Sequence, residues 1–226
     1  MKTPTRLRVL LVTLLLCRGG VLYSDPPPAI SLPLTGKIIV LDPGHAVKDE
    51  SGKIINPGAR ARRFGAWERD VALGVALKVV PLLEAQGAKV YLTRTGSNPW
   101  RYNRMKRSDN RSRAIFANVV RANAYVRLHC DWNRSHKLHG FTSYYFRWGS
   151  RTLAKTIQRS VGRTWPGRDD GIQRRSFVSA SAKMPAVLLE MGYLSNPKEG
   201  KELATDTHQT ALAQVIAQGI VDYFKK

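Results

Sequence analysis

Four side chains able to do bond-breaking chemistry stand at the ends of patterned runs in this 226-residue chain: His45, Glu68, His129 and Glu190. His45 follows the apolar run 38–41 and the turn formers Pro43 and Gly44. His129 ends a second apolar run, Glu190 ends a third, and Glu68 opens a helical pattern. In an open α/β sheet such element ends converge on one edge, where ligands bind. Two histidines and one carboxylate, with a fourth position open, make a catalytic zinc set. Zinc would bring the pKa of water towards neutrality for attack on a carbonyl. A second, unligated carboxylate could take the proton and return it to a leaving amine. Each residue also has an ordinary explanation. Glu68 could complement a helix dipole, Glu190 could be satisfied by backbone donors, and both histidines could be structural. Spacing alone does not decide between Glu68 and Asp70. His136 and His139 lie in a polar loop and His208 opens the last helix, so these three are assigned to solvent or capping.

The elements that must position these residues follow from periodicity. Strands are expected at 37–41, 89–93, 125–129, 141–146 and 185–190. Residues 48–65, rich in turn formers, read as a loop over the site. From Trp67 the period is helical, with Leu73, Ala76, Leu77, Val80 and Leu83 or Glu84 on one stripe; Pro81 should bend or break this helix near Val80. Further helices are expected from about Ser108, at 153–161 and at 207–224. Residues 163–182 look irregular, with a short strand at 176–179, and Gly192, Asn196 and Pro197 mark a loop. Strands alternating with helices predict an α/β fold: a mostly parallel twisted sheet flanked by helices, in a single catalytic domain at 37–226.

Composition is that of a globular protein, 43% hydrophobic and 23% charged, but the formal charge is +21. Lys2, Arg6 and Arg8 precede an apolar run from Val9 to Cys17, too short to span a bilayer, which reads as a signal peptide over 1–24. Its removal takes away Lys2, Arg6, Arg8 and Arg18 and no acid, leaving 21 − 4 = +17. Residues 25–36, with Pro26, Pro27, Pro28 and Pro33, read as a linker. No later apolar run is long enough for a transmembrane span. Cys17 lies in the signal, so Cys130 is left alone, as a small buried hydrophobe. Export and the lack of a recognition motif argue against nucleic acid as a partner and for anionic envelope polymers.

The motifs L-D-P-G-H (41–45), W-E-R-D-V-A-L (67–73), R-A-I-F-A-N (113–118), V-R-L-H-C-D (126–131) and P-A-V-L-L-E-M-G-Y-L-S-N (185–196) occur in one order. Together they resemble the zinc-dependent N-acetylmuramoyl-L-alanine amidases of the bacterial cell-wall autolysin type, over about residues 37–224. The resemblance implies one zinc ion held by His45, Glu68 and His129, and Glu190 as the catalytic carboxylate. It selects Glu68 over Asp70. The substrate implied is peptidoglycan, cut at the amide between the lactyl group of N-acetylmuramic acid and the L-alanine of the stem peptide, in the periplasm or cell wall.

The chain departs from the family pattern beside the first histidine, where Ala46 and Val47 replace two glycines and extra residues at 50–56 precede Pro57-Gly58-Ala59. Arg127 stands where the family has a serine; it either adds positive charge to the cleft or packs on a helix. Some relatives carry an inserted helix that plugs the zinc site until an activator withdraws it. Here 141–147 leads through Trp148, Gly149 and Ser150 into the next helix without room for one, so no withdrawing activator is expected. Rival readings are a zinc peptidase acting within the stem peptide and a catalytically silent, cationic cell-wall binding protein. Trp67, Trp100, Tyr102, Arg104, Trp132 and Trp148 are candidates for a glycan groove or for packing.

Overall fold

A computed structural model describes residues 31–45, 57–96, 109–165, 167–176 and 181–225. The expected signal, residues 25–30 of the expected linker, Ala46, Val47, Trp100, Tyr102, Arg104 and most of the expected strand at 176–179 lie outside them.

A six-stranded sheet in the order β4-β1-β5-β8-β6-β7 organises the fold. Its members are β1 (Ile38–Pro43), β4 (Lys89–Leu92), β5 (Ala124–Asp131), β6 (Phe141–Tyr145), β7 (Asp169–Arg174) and β8 (Ala186–Tyr193). The pairs β1–β4, β1–β5, β5–β8 and β6–β7 are parallel. Among the described residues β6–β8 is the one antiparallel pair of this sheet, so the mostly parallel sheet expected from the sequence is present. A second, two-stranded sheet pairs β2 (Arg60–Ala61) with β3 (Ala66–Trp67) around a 3₁₀ turn at Arg62–Phe64. This hairpin occupies the end of what reads as loop, because strands of two residues leave no periodic signal.

Alternation along the strands sorts side chains to two faces. Ile39, Leu41, Val126, Leu128, Val187, Leu189 and Met191 form the main core with α1 (Glu68–Glu84), α3 (Trp148–Thr164) and α5 (Asp206–Phe224). Val40, Tyr125 and Ala186 point the other way, onto α2 (Asp109–Val119), through Ala114, Phe116 and Ala117. A short helix, α4 (Pro197–Leu203), precedes α5.

Several expectations need correction. The buried face of α1 is Val71, Ala72, Val75, Ala76, Val79 and Leu83. Leu77 is 46% exposed, so the apolar stripe is turned by about one residue from the expected one. Pro81 does not break α1: only its last turn follows, the Pro81 carbonyl accepts from Ala85 N at 3.0 Å, and the carbonyl that loses its donor belongs to solvent-facing Leu77. Strand β7 and helix α4 replace expected irregular structure. The linker also ends earlier than expected. Leu34 is fully buried in the core and its N–H donates to Gln86 O at 2.9 Å, so the fold begins near Ser31. Between β6 and α3 stand only Phe146 and Arg147.

Candidate metal centre

His45, Glu68 and His129 come together from three elements, their donor atoms all within 4.8 Å of one another. Strand β5 delivers His129 and its sheet partner in β8 is Glu190, so both side chains emerge on the same face of the sheet. Helix α1 delivers Glu68 at its first residue. There the hairpin fixes it twice: Glu68 N donates to Ala59 O at 2.9 Å, and Ala59 N donates to Glu68 Oε2 at 2.8 Å. Asp70 is exposed beside Arg69 and is not a member of this group.

His45 sits just past β1 in the left-handed region, φ 60°, a conformation costly for a residue with a Cβ. Two buried arginines hold this turn. Arg94 donates to the carbonyls of Pro43 (3.0 Å) and Gly44 (2.8 Å), and Arg113 donates to those of Pro43 (2.9 Å) and His45 (3.1 Å). Arg113 and Arg127 in turn pair with Asp42, at 2.7 and 2.8 Å, and Tyr125 Oη donates to the same carboxylate at 2.7 Å. Arg127 also donates to Asn110 of α2 at 2.7 Å, while lining the cleft beside Glu190. It therefore packs and contributes charge at once. None of the four supports, Asp42, Arg94, Arg113 and Tyr125, was singled out from the sequence as part of the site.

Glu68 Oε1 lies 2.9 Å from His45 Nε2 and 2.9 Å from His129 Nδ1. Burial raises the pKa of Glu68, but the hydrogen bonds from His129 and His45 outweigh it, so the carboxyl is held below the ordinary range. Burial is also the main reason that His129 is shifted down, towards the neutral form that can ligate a metal. His129 Nε2 is buried and has no hydrogen-bond partner among the described residues. Two glycines make the space. A Cβ on Gly44 would stand 2.5 Å from the His129 ring, and one on Gly58 would stand 2.7 Å from Glu68 Oε2 and 2.8 Å from His45. Two imidazoles, a carboxylate, an orphaned buried nitrogen and a glycine cradle suit a divalent metal such as zinc.

Glu190 lines the same cleft. Its Oε2 is buried with no hydrogen-bond partner among the described residues, and burial, followed by the charges of Glu68 and Asp131, raises its pKa well above the usual value while Arg127 opposes. A free carboxyl beside a metal-binding cluster can carry a proton. The other histidines stand apart from this cluster. His136 Nδ1 pins its loop to Ser195 O at 2.7 Å, and His139 bonds Lys137 O. His208 is half-buried and does not cap the helix. It packs on Trp165 with ring centres 3.8 Å apart, burial lowers its pKa to about 4, and Thr205 caps α5. Cys130 is buried as a free thiol, and its N–H donates to Glu68 Oε1 at 3.2 Å.

A mixed α/β sheet that gathers two histidines and a glutamate at its edge, with a lone carboxyl beside them, has the donor set of a metal-dependent hydrolase. The chain matches the model of the N-acetylmuramoyl-L-alanine amidase family (Amidase_3) over residues 39–222, and it belongs to that family. It is 31% identical over 194 residues to the probable cell wall amidase LytH of Staphylococcus aureus, covering 85% of this chain. The chain spans 60% of the length of that relative. Among solved structures it resembles the catalytic domain of CwlV from Bacillus (Paenibacillus) polymyxa var. colistinus, with TM-score 0.73 and 30% identity over 84% of this chain and 98% of that one. It also resembles an N-acetylmuramoyl-L-alanine amidase from Clostridium difficile 630, with TM-score 0.74 and 28% identity over 84% and 97%.

Proposed function

We propose that this protein is a peptidoglycan hydrolase that cuts the amide between N-acetylmuramic acid and the L-alanine of the stem peptide. The observation that carries this reading is the Glu190 carboxyl, whose buried Oε2 has no hydrogen-bond partner among the described residues, beside the convergent His45–Glu68–His129 cluster in a chain of the amidase family. In this reading His45, Glu68 and His129 hold one zinc ion. A zinc ion there would supply the Lewis acidity that activates water near neutral pH. Glu190 would accept a proton from the attacking water and deliver it to the departing alanine nitrogen. Glu68, anchored by Ala59 N and Cys130 N, keeps both imidazoles oriented.

The uninterrupted passage from β6 into α3 supports an enzyme that works without a withdrawing partner. Digestion of muropeptides by the purified protein alone should release intact stem peptides that begin at L-alanine, and a chelator should abolish this. Fragments cut inside the stem would instead mark a peptidase. Zinc-loaded protein that stays inert until a second protein is added would sink the partner-independent reading.

Export to the periplasm or cell wall is part of the proposal, supported by the basic and then apolar start of the chain. Among the described residues no helix is long and apolar enough to cross a membrane. The charge of +17 on the processed chain favours adhesion to anionic envelope polymers. Binding to sacculi should then weaken as salt rises from about 0.1 to 1 M, where the screening length shrinks from about 10 to 3 Å. Salt-independent binding would remove the electrostatic account.

A further inference from the structure

Beside the metal cleft, a cavity of about 530 Å³ opens among three loops: the β2–β3 hairpin, the segment after β5 and the segment after β8. Arg60, Arg62, Arg63, Phe64, Trp132 and His136 are among its walls. The cavity adjoins the metal cleft, because Trp132 lines both. A shallower recess formed by Gly58, Ala59, Arg60 and Trp67 connects the same walls to the backbone that grips Glu68.

The charge here is built in. Arg60 and Arg69 stack on the Trp67 ring, 4.9 and 4.5 Å from its centre, which fixes Arg60 at the rim. Arg62 and Arg63 are exposed and make no ion pair among the described residues. His136 is oriented by Ser195 O, and Asn196 Nδ2 donates to His136 O at 3.2 Å, so the far wall is tied to the β8 loop. Trp132, 47% exposed, stands between this cavity and the metal cleft and lines both. Three guanidinium groups with apolar Phe64, Leu194 and Pro197 around them suit a ligand with carboxylates on a partly apolar backbone.

Resting on the amidase reading, we propose that this cavity is a subsite for the carboxylate-bearing part of the stem peptide. Arg62 and Arg63 would select acidic over amidated stems. The concave, partly apolar wall shared with the metal cleft favours a section of the substrate itself over a phosphate polymer, which would track an open basic surface.

Titration calorimetry on the full, zinc-loaded chain tests this without turnover, using a stem tripeptide with free carboxylates and the same tripeptide amidated. The acid form should bind about tenfold tighter or better, the scale of one charge-assisted hydrogen bond. The double substitution Arg62→Ala, Arg63→Ala should erase that preference, and Arg62→Glu, Arg63→Glu should invert it. Equal binding of the two peptides, or a preference that survives both variants, overturns the subsite. So does a variant that keeps the peptide preference and loses affinity for poly(glycerol phosphate). Failure of the amidase reading shows separately, as wild-type protein that binds the peptides but releases no stem from muropeptides. Both arginines are exposed, so the variants should melt with the wild type.

Discussion

Glu190→Gln should cut amide hydrolysis by on the order of 10²- to 10⁴-fold, the usual weight of a positioned general acid–base group. The side chain keeps its shape in this change, while its ability to take up and return a proton is lost. His129 and Glu190 are neighbours across the β5–β8 ladder, so the exchange leaves the histidine's strand pairing intact. Oε2 has no protein hydrogen bond to forfeit, so folding stability should move little. Glu190 also stands outside the convergent donor set, and the variant should still bind one zinc per chain. Muropeptide turnover and metal content, measured together, check both halves of this expectation. Activity within tenfold of wild type would remove Glu190 from the chemistry. Zinc lost along with activity would make it a ligand instead.

The residues of the candidate site were legible because each stands at the end of an element with a strong local signal. An apolar run closed by Asp42-Pro43-Gly44 announces His45, and the apolar run 186–189 announces Glu190. What positions them was much less visible. Asp42 is fully buried against Arg113 and Arg127, from α2 and β5, and pairings at sequence distances of 71 and 85 leave no periodic trace. Gly58 looks like any turn glycine until the fold brings Glu68 and His45 against it. Strand β7, D-D-G-I-Q-R, lies at the sheet edge with its side chains partly exposed, so it lacks the apolar pattern of a central strand. Helix α4 was hidden by its own start signal. Asn196-Pro197 reads as a loop, yet Asn196 Oδ1 caps the N–H groups of Lys198 and Glu199, and Pro197 occupies the first turn, where its missing N–H costs nothing.

The buried ion cluster beneath His45 sets the other large expectation. Asp42→Asn should destabilise the protein by about 3–5 kcal/mol, because it leaves Arg113 and Arg127 buried without their counter-charge. The effect should reach the metal cluster, since Arg113 also holds the Pro43 and His45 carbonyls and so the left-handed turn that aims the first histidine. The pH dependence gives the cause away. Burial favours the neutral form of Asp42, but Arg113 and Arg127 outweigh it and hold the carboxyl well below the usual carboxylate range. A group depressed on folding contributes stability above its unfolded pKa, about 3.9 for aspartate, and loses it as pH falls through the folded value. Below about pH 4 the unfolded chain therefore takes up a proton that the folded one refuses. That term costs the wild type up to about 1.4 kcal/mol per pH unit and is missing from the variant. Urea unfolding at pH 7 and pH 3 should show the gap between the two proteins narrowing by roughly 1 kcal/mol. A gap that stays constant across that range would mean that the loss comes from packing, and that the charge of Asp42 is not what holds the His45 turn in place.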